Sequence, residues 1–366
     1  MILPSTSNLK TSCLSRIFDN TTESYKFFWF NAILQKILEG RRELSFEELV
    51  DDMIATAWYM VSEYHLNLGP SDTMEKLILE LQDSVPFSPA EKKHRILEFL
   101  SSSHDANIIS KKNVLINEVP YRLQSTLLTL KAEDWQKGAK KRIEYINCHE
   151  GLIYRFGEFE GLSTRIFIND DWASYITDNA AFLEGWYRYN LISYLQKRNP
   201  SVPGIPYKLE PPAERKLADV ASYWRTILDI RPLKEIYGGR VLEKNDISID
   251  HFIPWSYIAS DELWNLHPTT KAINSSKNNN LPDWERYFKP LCRIEFTSYE
   301  IMHSYPQIKD CFEKLAKNHF SSIETKERLY SRRNLTFDSF SSSLRDVIEP
   351  QYRAAANCGF GTWILS

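Results

Sequence analysis

The chain has 366 residues, with 45 Lys and Arg against 48 Asp and Glu and a formal net charge of −3. That length suffices for two or more compact units, each with its own core, and the near-neutral balance excludes a globally basic nucleic-acid binder while leaving room for a local basic groove. Five scattered cysteines, Cys13, Cys148, Cys292, Cys311 and Cys358, are odd in number and point to a reducing cytoplasm. The opening MILPSTSNLKTSCLSRIF lacks the apolar core of a signal peptide, and no apolar run of about eighteen residues occurs, so a soluble cytoplasmic protein with no membrane partner is expected.

In chain order, Tyr25 to Leu38 and Phe46 to Tyr64 carry apolar residues at helical spacing around a Gly-Arg-Arg turn and read as core helices. Their aromatic density fits a core better than a base-stacking surface. Met74 to Gln82 and Pro89 to Phe99 read as further helices, the second announced by Ser88-Pro89 with Glu91 following. Between Ile143 and Ile168, YRF and TRIFI around Gly157 and Gly161 predict a β-hairpin, after which helix returns from Asp171-Trp172 to Leu195. Lys137, Lys140, Lys141 and Arg142 form the densest basic cluster. It is a candidate phosphate-backbone contact, against the plainer reading of a charged helix face. The Pro-dotted stretch at 199 to 212 reads as a rigid linker. No internal repeat appears. The fold class expected is α+β, predominantly helical, with a small β-hairpin region.

The most informative span is Ile249 to Lys277. Asp250-His251 is followed at fourteen residues from the His by Asn265, nine further by Asn274, and three further by Lys277. Ile247 and Ile249 alternate with Ser248 and Asp250 as a half-buried strand does, and Pro254 stops the ladder near His251. Leu263 to His267 predicts a second strand, and Pro268-Thr269-Thr270 supplies turn and N-cap chemistry for a helix from about Lys271. On that helix Asn274 and Lys277, three apart, share a face.

These motifs, DHFIPWSYI, ELWNLHP and AINSSKNNNLP in register, resemble the HNH or ββα-metal endonuclease family, and the expected order is strand, loop, strand, helix. The chain departs from the generic pattern in three places. Asn274 stands where a His is usual, which marks an Asn-terminated subgroup. The flanking CxxC zinc pairs are missing, so no structural zinc is expected. His267 follows Asn265 too closely to take the third position and is given a structural or surface role. The resemblance implies that His251 is the general base for a water nucleophile, a task its near-neutral titration suits. It implies that Asp250 and Asn274 hold one divalent cation, and two oxygen donors suit Mg²⁺ or Mn²⁺ better than Zn²⁺. Asn265 would fix the loop carrying His251 through backbone hydrogen bonds. Lys277 would contact the scissile phosphate or support the metal-bound waters.

The segments YKFFWFNAIL, SFEELVDDMIATAWYMV and KRNPSVPGIPYKLEPPAER also resemble stand-alone bacterial HNH nucleases of anti-phage defence loci. The domain plan expected is a helical or α+β recognition or regulatory region at 1–198, a linker with a connecting helix at 199–240, the nuclease module at 241–290 and a C-terminal helical region at 291–366. The expected function is hydrolysis of DNA phosphodiesters, one nick per event, held in check by autoinhibition or by partner proteins of a defence system. Two competitors stand beside it: a toxin-like RNA nuclease, since nothing in the motif reads a 2′-hydroxyl, and a DNA-binding regulatory subunit with a vestigial centre.

Overall fold

A computed structural model describes residues 2–128, 138–211 and 217–365. The chain divides into two compact units, Met1–Pro200 with Leu209–Pro211, and Ser201–Lys208 with Pro212–Ser366. Single-turn helices are named below by residue.

In the first unit, helices α1 (Tyr25–Leu38) and α2 (Phe46–Ser62) form the centre. Phe27 to Ile33 and Leu49 to Val61 are buried almost without interruption, so these two helices are wrapped on every side and do not present a single apolar stripe. Ser45 starts α2 with a capping box, its hydroxyl accepting from the Glu48 amide while Glu48 accepts from the Ser45 amide. Around them lie α3 (Thr73–Ser84), α4 (Lys93–Ser102), α5 (Ala106–Ile116) and α6 (Ala139–Asn147). The helix expected from Pro89 begins only at Lys93; Ser88 to Lys92 form a turn, with the Trp58 indole donating to the Ser88 carbonyl.

The hairpin joins Tyr154–Phe156 (β2) to Arg165–Ile168 (β3), and Glu43–Ser45 (β1) adds a third strand to β3, all antiparallel. β2 and β3 are the strands expected at YRF and TRIFI; Ile143, ahead of them, lies in α6, which runs to Asn147. The helix expected from Asp171 is two, α7 (Asp170–Asp178) and α8 (Ala180–Arg198), broken at Asn179.

The second unit is built on one continuous core running from Val220 to Phe360. Helix α9 (Ala218–Ile230), the two-stranded sheet β4 (Ile247–His251) and β5 (Leu266–Thr270), and α10 (Lys271–Lys277) carry the motif. A parallel pair, β6 (Leu281–Pro282) and β7 (Thr362–Trp363), and helices α11 (Trp284–Ser304), α12 (Pro306–Ala316) and α13 (Phe337–Asn357) complete it. Segment 201–208 packs here: the Lys208 ammonium donates to the Tyr257 carbonyl at 2.6 Å, and the Tyr257 hydroxyl to Ser201 O at 2.7 Å.

The second strand lies three residues later than expected. Leu263–Asn265 is a 3-10 turn, and Pro268 sits inside the strand opposite Ile249. A two-stranded sheet has a free edge on each strand, so a proline whose nitrogen faces outward removes no ladder bond.

The architecture is thus a predominantly helical α+β fold with small sheets. Among the described residues no helix is long and apolar enough to cross a membrane.

Candidate active site

Antiparallel register places Asp250 directly opposite His267 and His251 opposite Leu266. Helix α10 starts where β5 ends, with the Thr270 hydroxyl accepting from the Ile273 amide. Its three-residue spacing then matches a two-residue step along β4. Asn274 donates from Nδ2 to Ser248 Oγ at 2.8 Å and to Ile249 O at 3.1 Å, while Lys277 Nζ donates to Asp250 Oδ1 at 3.0 Å and His251 O at 2.7 Å.

Asp250 is therefore a buried carboxylate, 3% exposed, with a cation on one oxygen. The other oxygen accepts from the Tyr237 hydroxyl at 2.5 Å and lies 3.5 Å from His267 Nε2. Burial pushes the Asp250 carboxyl up, but Lys277, His267 and the Tyr237 hydroxyl together outweigh it and hold the group below the usual carboxylate range. Burial drives His267 down to about 4, against the pull of Asp250, so this imidazole is neutral at pH 7. Its role is to wall the carboxylate; a surface position is ruled out by its complete burial.

Tyr237 and its support escaped the sequence reading. Lys234 and Val241 bridge a tight turn in which Glu235 accepts from the amides of Tyr237 (2.8 Å) and Gly238 (2.5 Å). Gly239 has φ of +70°, a conformation that favours glycine. The turn aims Tyr237 at Asp250, and burial and the neighbouring carboxylate keep its hydroxyl protonated and donating. The Tyr-Gly-Gly sequence signalled a turn; nothing in it signalled the target.

His251 is buried, with Nε2 2.8 Å from Asp261 Oδ1. A carboxylate accepts, so Nε2 carries the proton and the lone pair of the neutral ring is on Nδ1. Asp261 is held from both sides of its own loop: His319 Nδ1 donates to the Asp261 carbonyl at 2.8 Å, and Leu263 N donates to His319 O at 2.9 Å. Asn265, fully buried, clamps the turn after the strand. Its Nδ2 donates to Ile253 O at 2.9 Å, its Oδ1 accepts from Ile253 N at 2.8 Å, and its own carbonyl accepts from Phe252 N at 2.9 Å.

Asp250, His251, Asn265, Asn274 and Lys277 thus belong to one strand, turn and helix unit. The described part of the basic cluster belongs to the first unit. Lys140 and Lys141 are exposed on α6 of the first unit, and Lys137 lies outside the described residues. Arg142 is withdrawn from any phosphate surface: it is buried, donates to the Asn117 carbonyl at 3.0 Å, pairs with Glu118 at 3.3 Å and covers the Tyr121 ring at 4.9 Å.

Residues 234–283 match the family model described as HNH endonuclease. The chain carries an HNH endonuclease domain. The match begins at the Lys234 turn and so takes in Tyr237 along with the strands and α10. Comparison with curated proteins and with solved structures returns no match. The match over these residues supports nuclease activity in general, and the family it belongs to typically works with a divalent metal.

The donors fit such an ion. Asn274 spends its amide nitrogen on Ser248 and Ile249, which assigns its carbonyl oxygen as the acceptor left over, and Asp250 holds a strong negative charge. A carboxylate with a carboxamide is a hard oxygen pair.

Proposed function

We propose that the chain is a Mg²⁺- or Mn²⁺-dependent endonuclease that hydrolyses DNA phosphodiester bonds in the bacterial cytoplasm, nicking one strand per event. The observation that carries this reading is the anchored pair of strand and helix: Asp250 held by Lys277 and Tyr237, with His251 beside it oriented by Asp261. In the proposed reaction His251 Nδ1 takes a proton from water as the water oxygen bonds to phosphorus. The bond from phosphorus to the leaving sugar oxygen breaks, and that oxygen gains a proton from solvent. Asp250 and Asn274 would hold the divalent ion, which supplies positive charge to the crowded phosphate. Asn265 fixes the turn that follows His251 and so sets the base relative to the strand. Lys277, buried against Asp250, is assigned to holding that carboxylate in place and not to the scissile phosphate.

A single strand-helix centre addresses one phosphate, which supports nicking over a double-strand break. The wider proposal, an Asn-terminated HNH protein of anti-phage defence similar to the HNH component of the type II Zorya system, rests on the segments quoted above, and on it the residues outside 234–283 select the substrate or restrain the site together with partner proteins.

The test is cleavage of supercoiled plasmid by the purified chain with Mg²⁺, with EDTA, and as His251→Ala, with a matched RNA as a second substrate. Nicked circles that need both the metal and His251 are expected. Preferential RNA cutting would replace the substrate, and cleavage untouched in His251→Ala would overturn the mechanism.

A further inference from the structure

The first unit holds a cleft of about 860 Å³ between α1, α2 and α8, with the start of α4 and Leu209–Pro211 at its rim. Its size falls among small-molecule pockets, which run to roughly 300–1,000 Å³. Two features show that the cleft is polar inside without being satisfied. Asn31 is 9% exposed, and its carboxamide finds no hydrogen-bond partner among the described residues. Tyr187, 5% exposed, has a hydroxyl in the same position. Both side chains line the cleft from facing helices, and their polar atoms open onto it, where a ligand can meet them.

Helix α8 adds a third feature. Gly185 lies in its interior, where glycine costs about 1 kcal/mol against alanine, and a Cβ added there would meet nothing within 4 Å. The missing side chain leaves the wall open to the cleft.

Most of the charges around the cleft are already paired, with the exposed Lys92 left at its rim. Arg188 pairs with Glu210, Lys93 with Asp52 at 3.0 Å, and the Gln35 amide donates to Glu184 at 3.3 Å. What remains inside is a neutral donor and acceptor set beside the Tyr59 and Tyr187 rings. A carboxamide presents a donor and an acceptor side by side, the pattern that pairs with the edge of a nucleobase, and aromatic walls suit its faces.

We propose that this cleft binds an uncharged heteroaromatic ligand of the nucleoside class, with Asn31 and Tyr187 meeting the base edge. The site is separate from the HNH domain, and binding is read without cleavage, so its failure and that of the nuclease reading are distinguishable. Isothermal titration of the full chain with adenosine, guanosine, cytidine and uridine tests it. At least one should bind with a micromolar dissociation constant, weaken about tenfold in Tyr187→Phe, and be lost in Gly185→Leu, whose side chain fills the open wall. Tyr187→Phe keeps the ring and the packing, so the test survives even if Gly185→Leu fails to fold. No binding of any of the four at 1 mM to the folded chain, or binding unchanged in both Tyr187→Phe and Asn31→Leu, would overturn the proposal.

Discussion

Lys277 Nζ lies 3.0 Å from Asp250 Oδ1 with both side chains almost wholly buried, the lysine coming from a helix and the aspartate from the strand that the helix covers. The contact ties the two halves of the motif together and places a fixed positive charge against the carboxylate proposed to bind metal. Removing one partner of such a pair leaves the other charged and dry. Lys277→Met should therefore destabilise the chain by about 3–5 kcal/mol. If a divalent ion takes the same carboxylate, Mg²⁺ should raise the melting temperature of Lys277→Met more than that of the wild type. Thermal unfolding in EDTA and in Mg²⁺ checks both statements; an equal response of the two proteins would dissociate Asp250 from the metal.

The Asp261 carboxylate lies 2.8 Å from His251 Nε2. Asp261→Asn keeps the shape but can present an amide to Nε2, which favours the wrong tautomer. The nicking rate should fall about ten- to a hundred-fold, the range for a lost orienting partner, with plasmid binding and melting temperature close to wild type. A rate unchanged by the substitution would show that His251 is positioned without Asp261.

Asn265 spends its whole side chain on the backbone of one residue, Ile253. Asn265→Ala leaves the Ile253 amide and carbonyl without those partners in a buried turn, at a cost of about 2–6 kcal/mol for two groups. Denaturant unfolding should show that loss, and nicking should fall with it even at temperatures where the variant is folded. Full activity in the folded variant would remove Asn265 from the site's support.

Glu295 on α11 is buried in the second unit's core, where its carboxyl accepts from the Tyr330 hydroxyl at 3.1 Å. Burial pushes it well above the ordinary carboxylate range. The folded chain keeps a proton that the unfolded chain releases above about pH 4.3, so this group's contribution to stability falls as pH rises from that value toward the raised one. Glu295→Gln should flatten that slope and raise the melting temperature by a few degrees at pH 8 relative to wild type. Parallel pH profiles of the two proteins would show the carboxyl to be ionised in the fold.

The local pieces of the HNH motif were legible in order and spacing because each follows from short-range chemistry. Alternation gives β4, Pro254 ends it, Thr270 caps α10, and the three-residue interval puts Asn274 and Lys277 on one helix face. The central helices α1 and α2 were legible for the same reason, since their apolar runs are long and periodic. What failed was what depends on a partner distant in sequence. Pro268 read as turn chemistry until it proved to lie inside β5, opposite Ile249. Arg142 looked like one more exposed base until Tyr121 and Glu118 covered it.

By itself, then, the sequence determined the residue types of the nuclease motif, the helical class of the fold and the strand-to-helix order, all set by periodicity, capping and turn chemistry over a few residues. Only the tertiary structure decided that His267 is buried against Asp250, that Tyr237 reaches the same carboxylate from thirteen residues away, and that Asp261 orients His251. Those contacts depend on strand register and on how loops close over a core, and a carboxylate buried among a lysine, a histidine and a phenol has its charge state set by all three at once.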